Sequence, residues 1–321
     1  MKLFTKTLLA AATLAMTTAL PAVAQSGDGF PTKAMTYIIP FNAGGESDIS
    51  ARFQQAHWAD VTGQDVVIQY QPGGGGAQAW SQLNGIAGDG YTIMGVNLPH
   101  IILQPMASEV GYKTDDLVPV HMFHYTPDAL LVAQDSPHKT LADLVEYAKA
   151  NPGMTTFAGS AVNSANHVAQ VTFDDLAGIQ TTYIPFSGTG TATPALLGGQ
   201  TVGYWGYSTV QASQGDQVRM LAVATEERMP AFPDVPTFKE LGYDLVSGAY
   251  RGVGVPASTS EEVRAQVSDI IEEINQNPDF RKKMEDAAFV LTDITYDKMD
   301  EFMTKRKAAY EDAAKVLGIG Q

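Results

Sequence analysis

Along the chain, short apolar runs alternate with longer stretches in which apolar residues recur every three or four positions. Met35-Thr36-Tyr37-Ile38-Ile39 reads as a strand, and residues 49–59 carry apolar side chains at helical spacing, with Arg52 and Gln54 on the other face. Val66-Val67-Ile68 is a second strand, closed by Pro72 and four glycines, and 92–96 is a third. A strand at 128–133 is expected after a loop at Pro127. Residues 141–150 form a helix stopped by Asn151-Pro152-Gly153. The same style then recurs: a strand at 155–158, a small polar turn, and a helix from about Ala165. A strand at 182–185 runs into Phe186-Ser187-Gly188-Thr189-Gly190, with a helix near 193–197. Residues 220–224 and 248–256 read as strands, and from Ser260 onward the chain reads as charged helix.

This alternation predicts an α/β fold. The unit of strand, Gly/Ser turn and helix occurs at 35–59 and again at 155–176, which suggests two similar lobes facing each other. Strands that cross between the lobes would form a hinge.

The turns carry the candidate chemistry. A helix N-terminus presents unpaired N–H groups and about half a unit of positive charge, and glycine lets a ligand approach the backbone. Asn42, Ala43, Gly44 and Gly45 precede the first helix, with Ser47 and Asp48 at its start, in position to cap it or to reach an anion. A plain capped turn fits the same residues. A phosphate loop does not, because no G-x-x-x-x-G-K-[ST] is present. The middle turn offers Ser160, Asn163 and Ser164 in the same setting, with His167 in the following helical turn. Arg251 stands alone in the uncharged run Gly248-Ala249-Tyr250-Arg251-Gly252-Val253. A basic residue there must face a ligand or an internal carboxylate.

Catalytic signals are thin. There is no G-x-S-x-G elbow and no cysteine, which removes thiolate metal sites and cysteine nucleophiles. His121-x-x-His124 has metal-compatible spacing without a third ligand, in what reads as a strand-to-loop stretch, and His57, His100 and His138 are isolated. No motif asks for a cofactor or a metal, and binding is favoured over catalysis.

The net charge is −15 over 321 residues, which argues against nucleic acid and against anionic lipid as partners. An anionic ligand would meet an opposing field, so a local site must attract it. Lys2 and Lys6, an apolar run from Leu8 to Leu20 and Ala22-Val23-Ala24 have the order of a secretory signal peptide, cleaved near Ala24/Gln25. The apolar run is shorter than the ~20 residues that span a bilayer.

Seven segments, in this order, carry a family resemblance: "YIIPFNAGGESDISARF" (37–53), "PGGGGA" (72–77), "DGYTIMG" (89–95), "SANHVA" (164–169), "YIPFSGTGTATPALLGGQ" (183–200), "RMLAVATEERMPAFPDVPTFKELGY" (219–243) and "RGVGVP" (251–256). Over residues 31–321 the chain resembles the periplasmic solute-binding proteins of tripartite tricarboxylate transporters, the TctC or Bug family. The resemblance implies a periplasmic binding protein fold, with two α/β lobes, a central cleft and a crossover-strand hinge. The expected division is a leader at 1–24, lobe 1 at 25–125 plus 248–321, and lobe 2 at 126–247. It implies a small di-, tri- or aromatic carboxylate as ligand, large and small integral membrane subunits as partners, and a monomeric, periplasmic, non-enzymatic protein. From the turns, the lone arginine and the resemblance together, the candidate binding set is Asn42, Ala43, Gly44, Gly45, Ser47, Asp48, Asn97, Ser160, Asn163, Ser164, His167, Thr189, Tyr207 and Arg251. A sensor subunit reporting to a membrane kinase is the alternative.

The chain departs from the family pattern at several places. Asn42 and Glu46 replace smaller or neutral residues, and Glu46 would repel a carboxylate unless it points to solvent. Ala161 and Asn163 stand where glycines are common, Gly206 where an acid is common, and Arg251 where an apolar residue is common. Arg251 is therefore expected to take a second carboxylate.

Overall fold

The computed structural model describes residues 29–319. The leader expected at 1–24 and its cleavage point lie outside the described residues. The first strand, β1 (Met35–Ile39), is buried along nearly its whole length. It lies between β2 (Val66–Tyr70) and β3 (Thr92–Leu98), parallel to both. Cover on both faces explains why β1 reads as a near-continuous apolar run rather than an alternating one. Helix α1 (Glu46–Thr62) follows β1 and ends at Gly63, whose φ of 66° makes the left-handed cap. Short α2 (Ala77–Trp80) and α3 (His100–Ala107) complete the first βα layer.

The longest strand, β4 (Val118–Ala133), has 16 residues and reaches roughly 50 Å at ~3.3 Å per residue. Helix α4 (Leu141–Ala150) then leads to the second set of βα units. These are β5 (Thr156–Ser160), α5 (Ala165–Ala177), β6 (Thr182–Phe186), α6 (Thr189–Leu197), β7 (Gly203–Tyr207), α7 (Ser208–Gln214) and β8 (Val218–Val223). Strand β9 (Gly248–Val255) returns to the first set, followed by α8 (Glu261–Gln276), α9 (Pro278–Asp286), β10 (Val290–Ile294) and α10 (Tyr296–Val316).

The strand order is β2-β1-β3-β9-β4-β7-β5-β6, with β8 and β10 each added to β4. The two ends of this path are parallel βα layers, and antiparallel β9 and β4 join them. Apolar side chains collect accordingly. One core holds Trp58, Trp80, Ile93, Phe123, Val253 and Phe280. A separate one holds Leu130, Phe157, Phe173, Trp205 and Phe238.

Four expectations are corrected. Pro127 does not sit in a loop but inside β4. There the strand changes partners, from β9 up to Pro127 to β7 from Asp128 onward, so the missing proline N–H breaks no ladder. The region after Ser260 is not wholly helical, because β10 pairs with β4. Helix α6 starts at Thr189, a full turn before the expected residues, with glycine at its cap. His121 and His124 lie in β4 rather than at a strand-to-loop junction and find different partners: His121 bonds Ser268 and Asp293, and His124 bonds Thr126.

Candidate functional site

The loop after β1 folds over the start of α1. Gly44, at φ 78°, makes the bend, and its N–H donates to Asp48 Oδ2 at 2.7 Å. Asp48 Oδ1 accepts from the Tyr70 hydroxyl at 2.6 Å and lies 2.9 Å from Arg52 Nε. The Asp48 carboxylate is therefore occupied in shaping the turn. The N–H of Glu46 donates to Thr189 Oγ1 at 3.1 Å. Among the described residues, the N–H groups of Gly45 and Ser47 make no hydrogen bond. Both residues line a partly open pocket whose empty space, open solvent included, is about 310 Å³.

The second βα layer closes over this cavity. Asn42 donates to Ser187 Oγ at 2.6 Å, from one layer to the other. The backbones are nearly in contact, since a Cβ added to Gly190 would lie 2.8 Å from the Ala43 carbonyl oxygen. Only glycine fits there without a shift.

The turn after β5 is braced through Asn166. Both the N–H and the hydroxyl of Ser160 donate to Asn166 Oδ1, at 3.2 and 2.6 Å. Asn166 in turn donates to Asp128 Oδ1 at 2.7 Å, and Ser247 donates to Asp128 Oδ2 at 2.7 Å. Burial pushes the Asp128 carboxyl up to about 7 against the pull of these two donors. Ser164 caps α5 by accepting from the His167 N–H.

Of the residues expected from the sequence, the fold brings Asn42, Gly45, Ser47, Asn97, Ser160, Thr189 and Arg251 to the cavity wall. Asn97 donates to Ser47 Oγ at 3.3 Å, so β3 braces the α1 turn. Ala43, Gly44, Asp48, Asn163, Ser164, His167 and Tyr207 are not part of that wall. Asn163 holds a left-handed φ of 61° with its N–H on His167 Nδ1, and His167 packs against Tyr183 with ring centres 4.6 Å apart. Tyr207 lies beneath Arg251, the guanidinium 4.8 Å from the ring centre.

Arg251 meets both readings of its sequence. It lines the cavity, and its Nη1 lies 2.6 Å from Glu46 Oε2 and donates to Thr126 Oγ1 at 3.2 Å. Glu46 does not point to solvent: it is 3 % exposed, and its other oxygen accepts from Thr209 at the start of α7. Burial pushes the Glu46 carboxyl up, and Arg251 first, then Thr209 and Thr126, pull it back.

Phe41, Glu46, His100 and Gly188 are wall residues that sequence reasoning did not select. His100 is 2 % exposed, and neither ring nitrogen has a partner. Burial, with the positive Arg251 nearby, pushes it down to about 3, so the imidazole is neutral. The available signal was position, since His100 follows the C-terminal end of a parallel strand, where α/β folds place their ligands.

A cavity walled by both βα layers, beside two crossing strands and holding no reactive pair, defines a solute-binding protein of the periplasmic type. The model of the tripartite tricarboxylate transporter family receptor, TctC, matches residues 50–313, and the chain belongs to that family. A protein encoded in the gbd 5′ region of Cupriavidus necator is 31 % identical over 291 residues, 86 % of this chain and 85 % of that one. Among solved structures, an R. palustris protein with adipate superposes with a TM-score of 0.85 at 25 % identity, covering 90 % of this chain and 99 % of that one. MatC from Rhodopseudomonas palustris, with bound malate, gives 0.82 at 25 % identity, covering 88 % and 99 %. The family's members are receptors that bind a solute, not enzymes. Among the described residues, no helix is long and apolar enough to cross a membrane.

Proposed function

We propose that the protein binds a small organic carboxylate in the cavity between the two lobes and delivers it to large and small membrane subunits of a tripartite transporter. The lobes follow the division 25–125 plus 248–321 and 126–247, with β4 and β9 as the hinge. The observation that carries the reading is that Gly45 and Ser47, whose N–H groups make no hydrogen bond among the described residues, stand at the start of α1 and line the cavity. They form a carboxylate cradle that needs no lysine, which suits an acidic protein. Asn42, Asn97, Thr189 and Ser160 add polar contacts around it. The malate and adipate held by the two R. palustris neighbours are ligands of the expected size and chemistry.

Calorimetric titration of the purified protein with small acids and with their methyl esters tests this. Binding of an acid but not its ester, with a matching rise in melting temperature, is expected. Equal binding of acid and ester, or no response to any acid together with no copurified acid by native mass spectrometry, would overturn it.

A further inference from the structure

The charges at the cavity cancel. Arg251 is the one guanidinium in the wall, and the protein supplies its counter-charge through Glu46, 2.6 Å away. Both groups are buried, at 5 % and 3 % exposure, and each has a further neutral partner, Thr126 for Arg251 and Thr209 for Glu46. A guanidinium stays charged in a protein, and at 2.6 Å the Glu46 carboxyl is the acidic group placed to serve as its counter-ion. Nothing else in the wall carries a positive charge. The remaining ring, His100, is neutral and unbonded at both nitrogens. A neutral imidazole offers one donor and one acceptor.

We infer, building on the carboxylate-receptor reading above, that the ligand carries a single carboxylate and, at its other end, a neutral group that donates and accepts hydrogen bonds, such as an amide or a hydroxyl. Glu46 is the residue that rejects a second carboxylate. A diacid would bring an additional negative charge into a buried site where Arg251 is already matched, and would set that charge against Glu46. An amide or hydroxyl adds no charge and can satisfy the open donor and acceptor of His100, which would otherwise remain buried without partners.

Matched ligands isolate the charge. Succinate and its monoamide succinamate have the same length and shape, as do adipate and adipamate, and each pair differs by one unit of charge. Titration calorimetry with the purified wild-type protein is expected to show the monoamide of at least one pair binding about tenfold or more tighter than its diacid. In Glu46→Gln, Arg251 lacks its counter-ion, and the preference is expected to shift toward the diacid by about tenfold or more. A wild-type protein that binds the diacid as tightly as the monoamide, or more tightly, overturns the inference while the receptor reading stands. That measurement needs no variant, so it decides the matter even where Glu46→Gln fails to fold. A wild-type preference for the monoamide that survives unchanged in folded Glu46→Gln overturns the role of Glu46. Failure of every acid, diacid or monoamide, removes the receptor reading and this inference with it.

Discussion

Replacing Arg251 with methionine tests the buried pair most directly. The substitution keeps much of the side-chain length over Tyr207 but removes, among the described residues, the only cation in contact with Glu46. Glu46 is then a buried carboxylate supported only by neutral hydroxyls, Thr209 and Thr126, among its present side-chain partners. Breaking a buried pair from one side costs about 3–5 kcal/mol, because the other charge is left uncompensated. For a protein of this size that corresponds to a fall of roughly 6–20 °C in melting temperature. The loss should depend on pH. Burial holds the Glu46 carboxyl above its ordinary value even with Arg251 present, and removal of the cation raises it further. In the unfolded chain Glu46 ionises near its ordinary 4.5 in both proteins, so the variant's deficit against wild type opens as pH rises through the raised wild-type folded value and grows until the variant's folded carboxyl also ionises. The double variant Glu46→Gln, Arg251→Met removes both charges and should lie within about 1–2 kcal/mol of wild type. Scanning calorimetry of the four proteins at pH 5 and pH 8 closes the cycle. Additive losses in the double variant, or a single variant that loses less than about 1 kcal/mol, would refute the ion-pair account.

Gly190→Ala puts a methyl group 2.8 Å from the Ala43 carbonyl oxygen; it should hold the lobes apart, enlarge the radius of gyration in X-ray scattering and weaken ligand binding by roughly tenfold. Asp128 is held up to about 7 against an ordinary value of 3.8, so the unfolded chain gives up its proton first and wild-type stability should fall as pH rises from about 4 to about 7. Asp128→Asn should gain on wild type across that window in melting temperature measured against pH, since the Ser247 hydroxyl can turn to accept from the new amide. Ser164→Ala removes the cap of α5 and should cost about 1 kcal/mol in urea denaturation. Phe173→Ala empties a fully buried site against Trp205, Phe238 and Tyr243 and should cost about 3–5 kcal/mol by the same assay.

What the sequence disclosed depended on whether the determining contacts are local. Helix α4 was legible to the residue because its start is a capping box, Thr140 with Asp143, and its end is punctuated by Asn151-Pro152-Gly153. The loop before α1 was legible because its two glycines announce a close backbone approach. Strand β4 was not, since Pro127 looks like a breaker until the change of pairing partner is known. Strand β10 lies among charged helices and is fixed only by its distant partner β4. The site divides the same way. Gly45 and Ser47 belong to a local motif, whereas the partners of Glu46 lie in β9 and at the start of α7, which no spacing rule connects to α1. At the front of a helix, Glu46 reads as an ordinary residue favoured by the dipole. Asn166 is another non-local case, read as part of a motif but acting through Ser160 and Asp128.

Two acids, Glu46 and Asp48, stand at the start of α1, where a carboxylate site is proposed. Each is consumed by the protein: Asp48 by Gly44, Tyr70 and Arg52, and Glu46 by Arg251 and Thr209. What remains at the cavity wall is Gly45 and Ser47, with N–H groups unbonded among the described residues, and no lysine among the lining residues. Recognition then rests on dipoles fixed by the fold, which cost no rearrangement when the ligand enters. A flexible lysine would attract any anion of any charge. On the proposed reading, a cradle of two N–H groups beside an already matched Arg251 would accept one carboxylate and offer nothing ionic to a second. The acid that looked like a departure from the family pattern is thus the residue through which this chain can differ from its relatives in what it carries.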